Sequence, residues 1–258
     1  MGRILNFIEK KGEGNYHCYK TNKVSLDTTD TEILNYDDKP ASLNKTSKIA
    51  ETDKTLVATI KIDGMLVEDS RPIFTFFLDG SRHVYKVDDM AIGKKIFPIL
   101  AGQIIVGCCT RKDRDTFKPY DILHKIVLSC PDDFDVDDDG EDFCRLFCEE
   151  INADLKKIPF ASSSKLQIDK ILLYKTDQKD NYGSDKDNYK NRGTAKIQSE
   201  MTDEEQQMVS RLCISNKLDD ENYLIKDGSL EYNPSFSNFS IDERIMSREN
   251  YRYVVGVS

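Results

Sequence analysis

The chain has 258 residues, of which 38% are hydrophobic and 32% charged, enough for one large domain or a domain with an extension. Its 37 basic and 46 acidic residues give a net charge of −9, which argues against a generally basic nucleic-acid-binding surface. That average is skewed by Pro131–Asp142, which carries eight acidic residues and no basic one; without these eight, 38 acidic face 37 basic, so a basic groove elsewhere is not excluded.

Residues 1–55 are polar and aperiodic, rich in Asp, Asn, Lys, Pro and Thr, and read as an irregular N-terminal extension or peripheral subdomain, with the main domain over 56–258. The first apolar stretch is cut short by Glu9, Lys10 and Lys11, unlike a signal peptide. No apolar run approaches the ~20 residues that span a bilayer. A cytoplasmic protein with no membrane segment is expected, its seven cysteines reduced and mostly buried.

From Leu56 the pattern becomes strand-rich. Leu56–Ile62 alternates and closes on the turn signal Asp63-Gly64. Ile73–Leu78, Val84–Val87, the long run Ile96–Cys109 with Gly102 as a turn or bulge, and Ile122–Cys130 read as further strands. Glu141–Lys157 carries Phe143, Leu146, Phe147, Ile151 and Leu155 at helical spacing. Ile168–Tyr174 predicts a strand, Thr176–Arg192 a polar loop, and Ala195–Ile214 a helix. Tyr223–Lys226 and Arg252–Val257 are the last two strands. This order predicts an α/β fold with a mixed sheet flanked by helices.

Two tripeptides stand out. Ile73–Leu78 runs into Asp79-Gly80-Ser81, and Tyr223–Ile225 runs, after Lys226, into Asp227-Gly228-Ser229. Each reading places a carboxylate where an apolar strand ends, beside a Gly that lets the backbone turn or approach closely. Asp-Gly alone is an ordinary turn. If the two strands are neighbours, however, both carboxylates face one point, and two or three such groups hold a pair of divalent ions that clamp a phosphodiester. The helix before the second strand offers Glu200, Glu204 and Glu205. Glu205 falls in the apolar stripe with Met201, Met208, Val209 and Leu212; Glu204 lies near it and Glu200 less centrally. Alternatively all three belong to a solvated first turn, with Thr202 as N-cap and Glu205 as its capping-box partner.

FFLDGSR (Phe76–Arg82), LIKDGSL (Leu224–Leu230) and VVGVS (Val254–Ser258), in that order, resemble the successive core motifs of the NurA nucleases. The resemblance implies an RNase H-like fold and a DNA nuclease needing Mn²⁺ or Mg²⁺. It also implies a homodimer working with the HerA-type hexameric ATPase in DNA end processing or anti-phage defence. By motif, Asp79 and Asp227 match the metal-binding aspartates and Glu205, or Glu204, the helix glutamate; the three are the candidate catalytic residues. The family's sequence continues past this last strand to an aromatic residue and a histidine, so the resemblance implies either a fragment of a longer domain or a shortened member lacking half a site. A noncatalytic RNase H-like subunit that docks on a HerA-type ATPase and guides DNA is the alternative.

Ser81, Arg82 and Ser229 are the candidate substrate-binding residues, Arg82 because a guanidinium beside a metal site can hold a phosphate through two bonds. Asp135–Gly140 imitates the start of a calcium loop, but its twelfth position is Leu146, and it reads as a solvated acidic loop. The chain has no P-loop signature, so any ATP-driven step belongs to a partner.

Overall fold

The computed structural model describes residues 8–10, 14–25, 72–113, 116–134, 141–176, 185–228, 230 and 240–257. Within them lies a mixed seven-stranded sheet: β1 (Tyr16–Ser25), β2 (Phe74–Ile92), β3 (Lys95–Arg111), β4 (Phe117–Pro131), β5 (Lys170–Tyr174), β6 (Tyr223–Asp227) and β7 (Val254–Val257). The order is β5-β4-β3-β2-β6-β7, with β1 also paired to β2. The β1–β2, β2–β3 and β3–β4 pairs are antiparallel, whereas β4–β5, β2–β6 and β6–β7 are parallel. The helices are α1 (Glu141–Lys156), α2 (Pro159–Ser163), α3 (Asp185–Ile214) and α4 (Ile241–Asn250).

Two apolar layers cover the sheet. On one face Phe76, Leu78, Val84, Leu100, Ile104, Val106 and Leu224 meet Ile197, Met201, Met208, Val209 and Leu212 of α3. On the other, Met90, Ile99, Leu128, Cys130 and Ile171 meet Phe147, Ile151 and Leu155 of α1, which recur every four residues and form one stripe. α4 starts with a capping box between Ser240 and Glu243, and its Asn250 Nδ2 donates to the Cys213 carbonyl at the end of α3, 2.8 Å away. All seven cysteines are free thiols. Among the described residues no helix is long and apolar enough to cross a membrane.

Several expectations need correction. The strand carrying Asp79-Gly80-Ser81 does not end there: β2 runs on to Ile92, absorbing the separate strand expected at Val84–Val87. Its alternation persists through Arg82 and Val84, and antiparallel pairing with β3 from Phe76↔Thr110 to Lys86↔Leu100 outweighs the turn tendency of Asp-Gly. Gly102 is neither turn nor bulge. It sits inside β3, where a Cβ would lie 2.6 Å from Ile197 Cγ2, so its missing side chain seats α3 on the sheet.

α3 begins at Asp185, inside the segment read as a loop, anchored where Tyr189 meets Phe97 edge-on at 4.9 Å. Thr202 therefore lies in mid-helix and cannot be an N-cap, which removes the capping-box reading of the glutamates. Arg252 and Tyr253 belong to a 3₁₀ turn before β7. Residues 16–25, from the stretch expected to be irregular, form β1. The strand expected at Leu56–Ile62, the Asp63-Gly64 turn and the acidic loop Asp135–Gly140 lie outside the described residues.

Candidate functional site

β2 and β6 are parallel neighbours, with Phe77↔Ile225 and Leu78↔Lys226 in register. The next residue along each strand is the aspartate of the repeated tripeptide, Asp79 on β2 and Asp227 on β6. β6 stops at Asp227, where Gly228 (φ +85°) turns the chain and its N–H donates to the Val257 carbonyl at 2.9 Å. β2 continues, and β1 joins its edge only from Tyr85. Among the described residues, Gly80–Val84 therefore has no strand on that side, and Asp79 and Asp227, both exposed, sit at the rim of the opening.

From the helix side, Glu205 reaches the same opening. A Cβ on Gly80 would lie 2.1 Å from Glu205 Oε1, so the glycine leaves the space in which this carboxylate rests against β2. Because Gly80 faces α3, strand alternation turns the Asp79 side chain to the other face of the sheet. Glu205 is only 7% exposed. Burial pushes its carboxyl above the usual range; the Lys226 ammonium opposes that shift, and the charges of Asp79 and Asp227 reinforce it. Lys226, 8% exposed, places Nζ 3.0 Å from Glu205 Oε2 and donates to the Asp227 carbonyl at 3.1 Å.

Glu200 and Glu204, also buried, face lysines instead of the opening. Glu200 bridges Lys125 of β4 (3.2 Å) and Lys170 of β5 (2.7 Å), and Glu204 also pairs with Lys125. Burial works to lower the Lys125 pKa, but its bonds to Glu204 and Glu200 hold it above the ordinary value. Of the expected substrate-binding residues, Ser81 is exposed on the outer face with Asp79. Arg82 points inward, and its Nε donates to Gln198 Oε1 of α3. Ser229 lies outside the described residues. The residue missed by the sequence reading is Lys226. Its signal was a lysine two positions after Leu224 in a short apolar strand, in phase with the core.

The donor chemistry of Asp79, Asp227 and Glu205 suits a hard divalent ion, which prefers carboxylate oxygen. The Lys226 ammonium, lying between the Glu205 carboxylate and the Asp227 carbonyl, is a stand-in cation that marks where positive charge is held. Among the described residues no three His, Cys, Asp or Glu side chains converge closely enough to hold an ion. The structure thus puts the two aspartates at the ends of neighbouring strand segments, on the face opposite α3, while Glu205 lies on the α3 side and is already engaged by a lysine. No protein-family model, curated protein or solved structure matches the chain.

Proposed function

We propose that the chain is a NurA-like, Mn²⁺- or Mg²⁺-dependent DNA nuclease, with Asp79, Asp227 and Glu205 as the ion-holding residues. The observation that carries this reading is the parallel β2–β6 pairing, whose last registered pair, Leu78↔Lys226, immediately precedes the two Asp-Gly-Ser aspartates. The strand order β4-β3-β2-β6-β7, with β3 antiparallel to both its neighbours and β2, β6 and β7 parallel, supports an RNase H-like core.

Asp79, Asp227 and Glu205 are the residues that would hold a divalent ion, which would supply an acidified water and charge stabilisation for the leaving oxygen of a phosphodiester. The chain's own residues create the place for that chemistry. Asp79 is fixed by its pairing with Gly107 of β3, Asp227 by the end of β6, and Glu205 by the space over Gly80. Dimerisation and docking on a HerA-type ATPase belong to the same proposal.

The experiment is cleavage of linear single- and double-stranded DNA with Mn²⁺, Mg²⁺ or EDTA. Wild type should cut only with the ions, and Asp79→Asn should fold normally and not cut. Full cleavage by a well-folded Asp79→Asn protein would overturn the assignment. The second reading, a noncatalytic subunit guiding DNA on a HerA-type ATPase, is favoured by the Glu205–Lys226 pair, which balances the third carboxylate without an ion. It predicts DNA or ATPase binding and no cleavage under any ion.

A further inference from the structure

We infer that the sheet face opposite α3, over Gly107, is a docking track for single-stranded nucleic acid that leads to Asp79. The inference rests on the nuclease reading above for what happens at Asp79, and adds which form of the strand is taken up and by which side chains.

Three observations carry it. First, part of that face is bare. Phe77, Asp79, Ser81 and His83 of β2 alternate with the residues that meet α3, and α1 packs on their face further along, around Ile99, Leu128 and Cys130. On the neighbouring strands β3 and β4, Ile105, Ile122 and Phe117 are 37%, 60% and 52% exposed. Second, the space in front of Asp79 is clear. Gly107 is its cross-strand partner, and a Cβ there would meet nothing within 4 Å. A glycine inside a strand with open space over it leaves room for another chain to approach the sheet closely.

Third, the side chains bordering that space suit bases and phosphates. The Arg111 guanidinium lies over the Phe117 ring, 5.4 Å from its centroid, and Phe77 meets Phe117 at 5.3 Å. On the other side of Gly107, Gln103 Nε2 and His124 Nε2 lie 3.0 Å apart. The chain carries −9 overall, yet among the described residues 77–83, 103–111 and 117–124 Asp79 is the only acid on this face. Asp121 turns the other way and pairs with Arg211 of α3. An exposed aromatic ring under an arginine is a sequence-tolerant platform for unpaired bases. Arg111 stands four residues from Gly107 on β3, about 13 Å, or about four bases at a stacking rise of about 3.4 Å. A strand stacked at Phe117 therefore brings a phosphodiester to Asp79 a few nucleotides further on. In a duplex the bases are paired with each other and do not reach Phe117, so the face selects single strands.

The test is binding of a short fluorescein-labelled DNA by the full chain, read by anisotropy in EDTA so that no ion contributes. Wild type should bind a single strand more tightly than the duplex of the same sequence, and more tightly than an abasic strand of the same charge. F117A and R111Q should each weaken single-strand binding about 10-fold. G107L, whose side chain enters open space, should melt like wild type and bind as weakly as F117A. Should F117A fail to fold, G107L carries the comparison alone. Wild-type affinity in well-folded F117A and G107L, equal binding of abasic and natural strands, tighter binding of duplex, or no single-strand binding by wild type would each overturn the track. So would self-association of wild type that G107L abolishes, which would make the face an interface between copies of the chain. The nuclease reading fails separately: single-strand binding in EDTA with no cleavage under Mn²⁺ or Mg²⁺ would remove the ion site and leave the track standing.

Discussion

Helix α3 presents buried glutamates to sheet lysines at two places that look alike in composition and differ in charge balance. At the first, Glu200 and Glu204 pair directly with Lys125 and Lys170, with Asp203 and Lys196 acting electrostatically beside them. At the second, Glu205, next in sequence to Glu204, meets Lys226, and the charges of Asp79 and Asp227 also act on it. Both places hold buried, paired charge, so burial and pairing alone do not mark a site. The difference on which the proposal rests is that Asp79 and Asp227 act on Glu205 from neighbouring strands of the sheet. The first place is read as architecture and the second as the candidate centre.

The comparison is broken most severely at Lys125. Its removal in K125M leaves Glu200, 4% exposed, with Lys170 alone, and leaves Glu204, also 4% exposed, without its lysine. Loss of one partner from such a buried pair costs about 3–5 kcal/mol, readable by denaturant unfolding. Mn²⁺ binding by the folded fraction should be unchanged, which separates the architectural place from the candidate centre. The pH dependence follows from the same residue. The folded-state pKa of Lys125 is raised above 10.5, so its stabilisation is complete below pH 10.5 and is lost as pH climbs through the higher folded value. Wild type should show this alkaline loss in melting experiments and K125M should lack it.

Smaller effects compare the two Asp-Gly segments. In G80A the new methyl would lie 2.1 Å from Glu205 Oε1, on the carboxylate whose other oxygen, Oε2, pairs with Lys226, so Glu205 must move. We expect about 1–3 kcal/mol of destabilisation and weakened Mn²⁺ binding. G228A meets no close atom, only the strain of φ +85°, about 1–2 kcal/mol, and it leaves Glu205 in place. Equal effects of both substitutions on Mn²⁺ binding would erase the distinction between a glycine kept for close approach and one kept for a turn.

Much of the scaffold was legible in the sequence, because buried strands and the α3 stripe write apolar periodicity directly into it. The stripe of Met201, Met208, Val209 and Leu212, and the strands bearing Asp79 and Asp227, are where that pattern placed them. Three things were not legible. Strand register is a tertiary property, so the placement of the aspartates on neighbouring strands needed the structure. The first Asp-Gly was misread because a local turn tendency is overridden by continuous pairing on β3. The start of α3 was missed because Asp185–Arg192 carries no apolar period and is held by few contacts, such as Tyr189 on Phe97. The Glu–Lys layer was hidden for a related reason: its lysines come from three strands far apart in sequence.

The central claim is that Asp79 and Asp227 serve one ion site, and a double-mutant cycle on Mn²⁺ affinity tests it most directly. If they share a site, D79N and D227N each weaken Mn²⁺ binding strongly, and the double variant is little worse than either single one. Strictly additive losses, or full affinity retained in either well-folded single variant, would contradict the account.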